Sequence, residues 1–469
     1  PATHYVDNTN RSATDSGNPR GTSATPRMTI PTTLEAGSVV EVRGGPYTIS
    51  RTTWVGQGSA SAPVFIKGVG SPVFTGREGQ IIVGGSYLVV EGLVLEQVRL
   101  RLEPGSIKLV IRSNEIRNYP SDGPAAMIGA SGVTDSVIMG NHVHDCGDIR
   151  SAEELDIIGI VVDDGSENVW VVDNHVHHIA GDSIRVGDNP PAPEPWARLV
   201  WIGRNEFHHN QENALDVKQS RDIIVSENKM YGLRRPASRS DDGTALVIHY
   251  DPERVWILNN QVYDSSNGIR STGAVDGLYV IGNEVWDIKH EAGDEYDARS
   301  MFGVNAIRAN ATPDFYAINN TVYRCDAGIS YPNGEHGEIL NNIVAGLTQP
   351  SHHVAVGSRS SANLVRNNVF EGTARLKVGS NAARDCGEAR SSFPGQVDHC
   401  INADPRFVDP GRLDLHLAAG SPAVDAGTDH PAYDRFRQLY GLDIRKDREG
   451  RQRPQGRAFD IGAHERPPQ

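Results

Sequence analysis

With four cysteines among 469 residues, the chain does not rest on a disulfide scaffold, and the cysteine spacing matches no zinc motif. Basic residues are also short. Lysine and arginine total 45 against 59 aspartates and glutamates, a net charge of −14 with no basic patch interleaved with aromatics, which argues against a nucleic-acid partner. No apolar run approaches the ~20 residues of a membrane-spanning helix, so no membrane insertion is expected. Long stretches of helical periodicity are missing, as are a nucleotide-binding glycine loop and a recognisable Ser-His-Asp arrangement.

What the chain does have is turns and a repeat. Its 49 glycines and 27 prolines punctuate short apolar strands such as VWVVDN (169–174), RVWILNN (254–260) and GLYVIGN (277–283). Each such strand ends at an asparagine: Asn114, Asn141, Asn174, Asn205, Asn228, Asn260, Asn283, Asn320, Asn342 and Asn368. A period of 22 to 37 residues built from strands marks a solenoid, because one strand-turn unit cannot bury its own apolar face. Without intervening helices, the coil reads as an all-β parallel β-helix. An asparagine at one corner of every coil can bond to the next, forming a ladder of amides. Cys146 and Cys325 occupy equivalent places in distant coils and read as buried fillers, whereas Cys386 and Cys400 are close enough in sequence to pair.

Residues 1–50 read as an opening strand and first coil, 51–375 as the solenoid, and 376–469 as a decorated end that closes the last coil. The opening HYVDNTNRS and EVRGGPYTIS, with the closing ADPRFVD, LHLAAGSPAVDAG and FDIGAHE, resemble the two ends of secreted bacterial right-handed parallel β-helix proteins. That superfamily includes pectate, alginate and chondroitin lyases, epimerases, glycoside hydrolases and phage tailspikes. The resemblance implies a single-stranded right-handed parallel β-helix and leaves the chemistry to the site.

Strand alternation locates that site. Taking Val162, Val186, Val217 and Ile248 as inward leaves two outward columns. One runs Val161, Arg185, Asp216, Val247, Arg270, Arg308, and the other Asp163, Gly187, Lys218, His249, Thr272, Asn310. A surface ion ladder explains Arg185, Asp216 and Arg270; it explains less well Lys218 beside His249, or the bordering pairs Asp163-Asp164 and Asp241-Asp242. A groove for an acidic polysaccharide explains both. β-Elimination from a uronate needs a cation to neutralise the carboxylate, a base for the C5 proton, and a group to protonate the departing O4. Lys218 is the expected base, with His249 as the alternative. Arg185 or Arg270 would clamp the carboxylate, and Tyr250 would donate the proton. Insertions at 187–198, 232–243 and 289–303 would wall the groove, with Arg234, Arg235, Arg239 and Arg308 as substrate contacts.

The segment NALDVKQSRDIIVSEN (213–228) resembles β-helix lyases with a strand-borne lysine base, which implies that role for Lys218. Some of those lyases use Ca²⁺. Asp163, Asp164, Asp188 and Asp216 are the oxygen donors that could hold one here, taking over the neutralising role given to arginine.

Two further stacks have two readings each. His144, His177, His208, Tyr231, Tyr263, Trp286 and Tyr323 follow the ladder asparagine by three residues, either as packed rings or as a metal site at the histidine end. Trp170, Trp201 and Trp256 precede it by four, as sugar platforms or as rings packed beneath loops. Alternatives to the lyase are a hydrolase using Asp216 with Asp163 or Asp242, a uronate C5-epimerase, and a non-catalytic glycan-binding fibre. The start at Pro1 without a signal-like segment reads as a processed secreted product or a trimmed chain; a secreted, periplasmic or cell-surface location is expected, and a capped β-helix can remain a monomer.

Overall fold

The structure, a computed structural model, describes residues 1–120, 123–151, 153, 155–191, 194–234, 243–289, 307–309, 312–348, 352–357, 362–373 and 375–468. Backbone contacts divide it into two units, Pro1–Ile223 and Ile224–Gln469.

Both units are built from one coil with three strands. In the first unit, one face carries Val137–Met139, Glu167–Val172 and Arg198–Gly203. A second carries His142–Cys146, His175–Ile179 and Glu206–His208. The third carries Ile157–Asp163, Ile184–Val186 and Leu215–Val217. Each strand pairs in parallel with the equivalent strand of the next coil, for instance Val143 with Val176 and Val176 with Phe207. The second unit repeats this, its third face carrying Thr244–Ile248, Asn267–Ser271, Ile307–Arg308 and Ile329–Tyr331. The coils wind right-handed, as parallel crossovers almost always do.

The ladder expectation holds within each unit. Asn114 Nδ2 donates to Asn141 Oδ1 at 3.2 Å, Asn141 to Asn174 at 3.0 Å, and Asn174 to Asn205 at 3.0 Å. In the second unit the chain of bonds runs from Asn228 through Asn260, Asn283, Asn320 and Asn342 to Asn368, each 2.9–3.0 Å. The second amide proton goes to a backbone carbonyl of a neighbouring coil, as from Asn174 to Ile138 at 2.9 Å. The side-chain oxygen also accepts a backbone N–H, so these buried amides are satisfied by the stack itself.

The residue before each ladder asparagine is left-handed, from Gly140 (φ 61°) and Asp173 (φ 57°) to Asn259 (φ 55°) and Asn341 (φ 55°). Gly, Asn and Asp tolerate that conformation best, which accounts for the recurring GN, DN and NN pairs.

Cys386 and Cys400 form a disulfide, and Cys146 and Cys325 are buried free thiols, as the spacing suggested. Leu376–Val378 and Asn381–Ala383 pair antiparallel, and the disulfide ties the helix α1 that follows (Cys386–Ser392), capped by Asp385, to Cys400 beside the parallel strand Ile401–Asn402.

From residue 403 the chain runs back along the outside of the second unit. Phe407, Leu415, Leu417, Ala423 and Ile461 bury Ile343, Ala345 and Val369. Helix α2 (Pro431–Tyr440), stopped by Gly441 at φ 74°, sets Phe436 edge-on to Trp256 at 5.0 Å. Among the described residues no helix is long and apolar enough to cross a membrane.

Candidate functional site

Within each unit the first outward column pairs as the alternation predicted. In the first unit Val161 pairs with Arg185 and Arg185 with Asp216, while Val162, Val186 and Val217 are fully buried between them. In the second, Val247 pairs with Arg270 and Arg270 with Arg308.

The first column extends further back than the sequence reading took it. Ile82 pairs with Arg101, Arg101 with Gly129, and Gly129 with Val161. Arg101 and Arg185 therefore stand on one face three coils apart, with only Gly129 and Val161 between them. The small floor opens a cleft of about 350 Å³, lined among others by Arg99, Arg101, Asp163, Arg185, Asn189 and Lys218. A methyl group added at Gly129 would meet only Ala126 Cβ, at 3.7 Å.

Four cations thus converge on one cleft of an acidic chain. Lys218 Nζ donates to Asn189 Oδ1 at 2.9 Å and lies 3.4 Å from Asp216 Oδ2, which holds the amine in place. Arg185 Nη2 is 3.0 Å from Asp163 Oδ2 and 3.8 Å from Asp188 Oδ1. The Nε atoms of Arg99 and Arg185 are buried without a hydrogen-bond partner among the described residues, leaving donors that an anionic ligand would satisfy.

The acids nearby are unusual as well. Burial raises the Asp163 carboxyl above the ordinary range, reinforced by Asp188 and Asp164 and opposed by Ser131 and Arg185. Asp182, buried and bonded by Asn213, is pushed well up by burial and then by the Asp216 carboxylate.

Of the four expected Ca²⁺ ligands, Asp163, Asp164 and Asp188 bring carboxylate oxygens within 4.8 Å of one another. Asp216 is outside that group and pairs with Lys218 instead. Ca²⁺ takes 6–8 oxygens, and the Arg185 guanidinium already bridges two of the three carboxylates, so the arrangement as built does not fit the ion.

Other expected residues lie elsewhere. Trp170 and Trp201 stack at 4.8 Å on the first face, and Trp170 is exposed. Trp256 is not an open platform. It is fully buried, stacked on Tyr279 and covered by α2, because the C-terminal segment supplies apolar partners there. Arg234 is tied to Asp264 and to the Lys289 carbonyl. His249 and Tyr250 form a ring pair at 4.1 Å in the second unit, Tyr250 exposed. Arg270 and Arg308 are buried, and burial followed by Arg270 lowers Arg308 to about 10. Arg235, Arg239, Asp241, Asp242 and Asn310 lie outside the described residues.

The sequence reading missed Arg99, Arg101, Asn189 and Asp182. For the arginines a signal existed, since VRLRL (98–102) alternates arginine with buried Val98, Leu100 and Leu102.

The family described as Right handed beta helix region matches residues 197–374. That match covers less than half of the chain, whose fold is a right-handed parallel β-helix. No curated protein matches it significantly. Among solved structures it is similar to a rhamnogalacturonan lyase (14% identity, 95% of this chain and 100% of that one, TM-score 0.44). An alginate lyase follows at 11%, 78% and 87%, with a TM-score of 0.46. The Dettilon tailspike protein matches at 12% identity over 79% of this chain, with a TM-score of 0.40, and the chain spans 63% of the tailspike's length.

Proposed function

We propose that the chain acts on an acidic polysaccharide, as a lyase that breaks uronate linkages by β-elimination in the cleft of the first unit. The observation that carries this reading is the convergence of Arg99, Arg101, Arg185 and Lys218 on one cleft in a chain of net charge −14. A cleft that concentrates positive charge draws in an anionic ligand that the rest of the surface repels.

The arginines neutralise the uronate carboxylate, which acidifies the C5 proton. Lys218, after passing its own proton to solvent, takes that proton. The electron pair forms the C4–C5 double bond, the C4–O4 bond breaks, and Asp163 in its protonated form gives O4 a proton. We assign the base to Lys218 over His249 because Lys218 lines the same cleft as the arginines. Arg185 supplies the neutralising charge within the carboxylate group, so no step requires Ca²⁺.

A glycoside hydrolase is the second reading, favoured by the raised carboxyl of Asp163, which suits a general acid. The test is incubation with a panel of uronate polysaccharides, with and without a chelator, following ultraviolet absorbance of the new double bond and reducing ends together. The lyase produces both signals in either condition. Reducing ends without absorbance would transfer the case to the hydrolase, and loss of activity in chelator would restore Ca²⁺ to the mechanism.

A further inference from the structure

Seven of the chain's 17 histidines stand on the second face of the first unit: His142, His144, His175, His177, His178, His208 and His209. Strand register makes two outward columns of them. His142 pairs with His175, and His144 with His177, which in turn pairs with His208.

Ring stacking accounts for one column. His144, His177 and His208 stack at 5.2 Å and 4.7 Å, and the equivalent place in the second unit is filled by Tyr231, Tyr263 and Trp286, stacked at 4.8 Å and 4.4 Å. His142 and His175 of the other column also stack, at 4.9 Å, but nothing at that place requires rings. His142 and His175 have counterparts Lys229, Gln261 and Glu284 in the second unit, a mixture with no ring requirement. Nor does packing require nitrogens to face one another across the columns. His142 Nε2 lies 2.9 Å from His177 Nε2, and His175 Nε2 lies 2.8 Å from His208 Nε2.

Behind these sit further partners. His177 Nδ1 is 2.7 Å from His178 Nδ1, and His208 Nδ1 is 2.8 Å from His209 Nδ1. Imidazole ligands are commonly oriented through the ring nitrogen that does not touch the metal.

We propose that this histidine face binds a divalent transition-metal ion of the imidazole-preferring class, Zn²⁺, Ni²⁺ or Cu²⁺, with His177 as the shared ligand. Two groups have the required convergence, His142 with His144 and His177, and His175 with His177 and His208, each with ligand nitrogens within 4.8 Å of one another. A Zn–N bond of about 2.0–2.1 Å sets nitrogen-to-nitrogen edges of about 3.3–3.4 Å, within reach of small side-chain rotations. Because both groups use His177, one ion binds per chain. In each facing pair one imidazole donates a hydrogen bond to the other, and on binding the donor moves its proton from Nε2 to Nδ1. The site is separate from the cleft, which lies on the third face, and a bound ion would clip together two successive coils.

The test is calorimetric titration of Zn²⁺ into the chelator-treated full chain, with Co²⁺ absorption reporting imidazole ligation. The expected result is saturable binding of one ion, weakened more than about 100-fold in His177→Ala and about tenfold in His178→Ala. The double variant His142→Gln/His208→Gln, which keeps side-chain bulk, also loses binding while its metal-free melting temperature stays near that of the parent. His399→Ala, an exposed histidine elsewhere, binds as the parent does. Absence of saturable binding in the parent, or parental affinity in His177→Ala, would overturn the proposal.

Discussion

Asn174 shows how single residues carry this fold. Its amide bonds Asn205 Oδ1 at 3.0 Å, the Ile138 carbonyl at 2.9 Å and the Val172 carbonyl at 3.1 Å, while its oxygen receives the backbone and side chain of Asn141. Asn174→Ala strands several buried groups at once, and each such group costs ~1–3 kcal/mol. Urea denaturation of this variant is expected to show a loss of about 3 kcal/mol. The ladder was legible because only asparagine recurs at that corner. The left-handed residue before it was written in the same pairs but went unread, since backbone conformation has no hydrophobic period. Lys218, Arg185 and Asp216 were found by alternation; Arg99 and Arg101 were not, because their strand precedes the clear repeats. For Trp256 the sequence left platform and packed ring both open, because the ring that covers it, Phe436, comes 180 positions later.

At the scale of elements, the second face changes character along the chain, and the sequence records why. In the first unit it reads His-Val-His at 142–144 and 175–177, with half-buried residues on either side of a buried one. In the second unit it becomes Ile-Val-Ala at 343–345, buried throughout, because the C-terminal segment lies on its outer side. A strand covered on both faces loses its alternation.

Helix α2 is part of that cover. Its Ala432, Tyr433 and Phe436 form the buried side, and Phe436 is 1% exposed against the Trp256 ring. Phe436→Ala removes a buried ring and is expected to cost about 3–4 kcal/mol, read by chemical denaturation. It is also expected to expose Trp256, seen as a red shift of tryptophan emission. No shift would mean that the helix does not cover that ring.

Charge is where the whole molecule matters, since a net −14 chain keeps cations at its cleft and also uses ion pairs to fix its C-terminal segment. His464 bonds Glu284 at 2.6 Å and Glu449 at 2.8 Å. Burial alone would lower His464, but the hydrogen bonds and charges of the two glutamates outweigh it and raise it to about 9. Burial likewise opposes the fall of Glu449 to about 2, which His464 drives. The histidine's contribution is complete below its ordinary value of 6.5 and is lost as pH rises through about 9. That of Glu449 is complete above 4.5 and is lost as pH falls through about 2. Stability is therefore expected to peak between pH 4.5 and 6.5 and to fall by about 3 kcal/mol towards pH 9. In His464→Gln the alkaline fall should flatten, as urea midpoints at pH 6 and pH 9.5 would show.

The central claim is that the cation-lined cleft eliminates across a uronate linkage with Lys218 as base. The most direct measurement compares the parent with Lys218→Ala on a polysaccharide that gives the double-bond absorbance. The account predicts that kcat falls about 10³-fold while KM stays nearly unchanged, because the arginines still hold the substrate. Lys218→Ala turning over at the parental rate would contradict it.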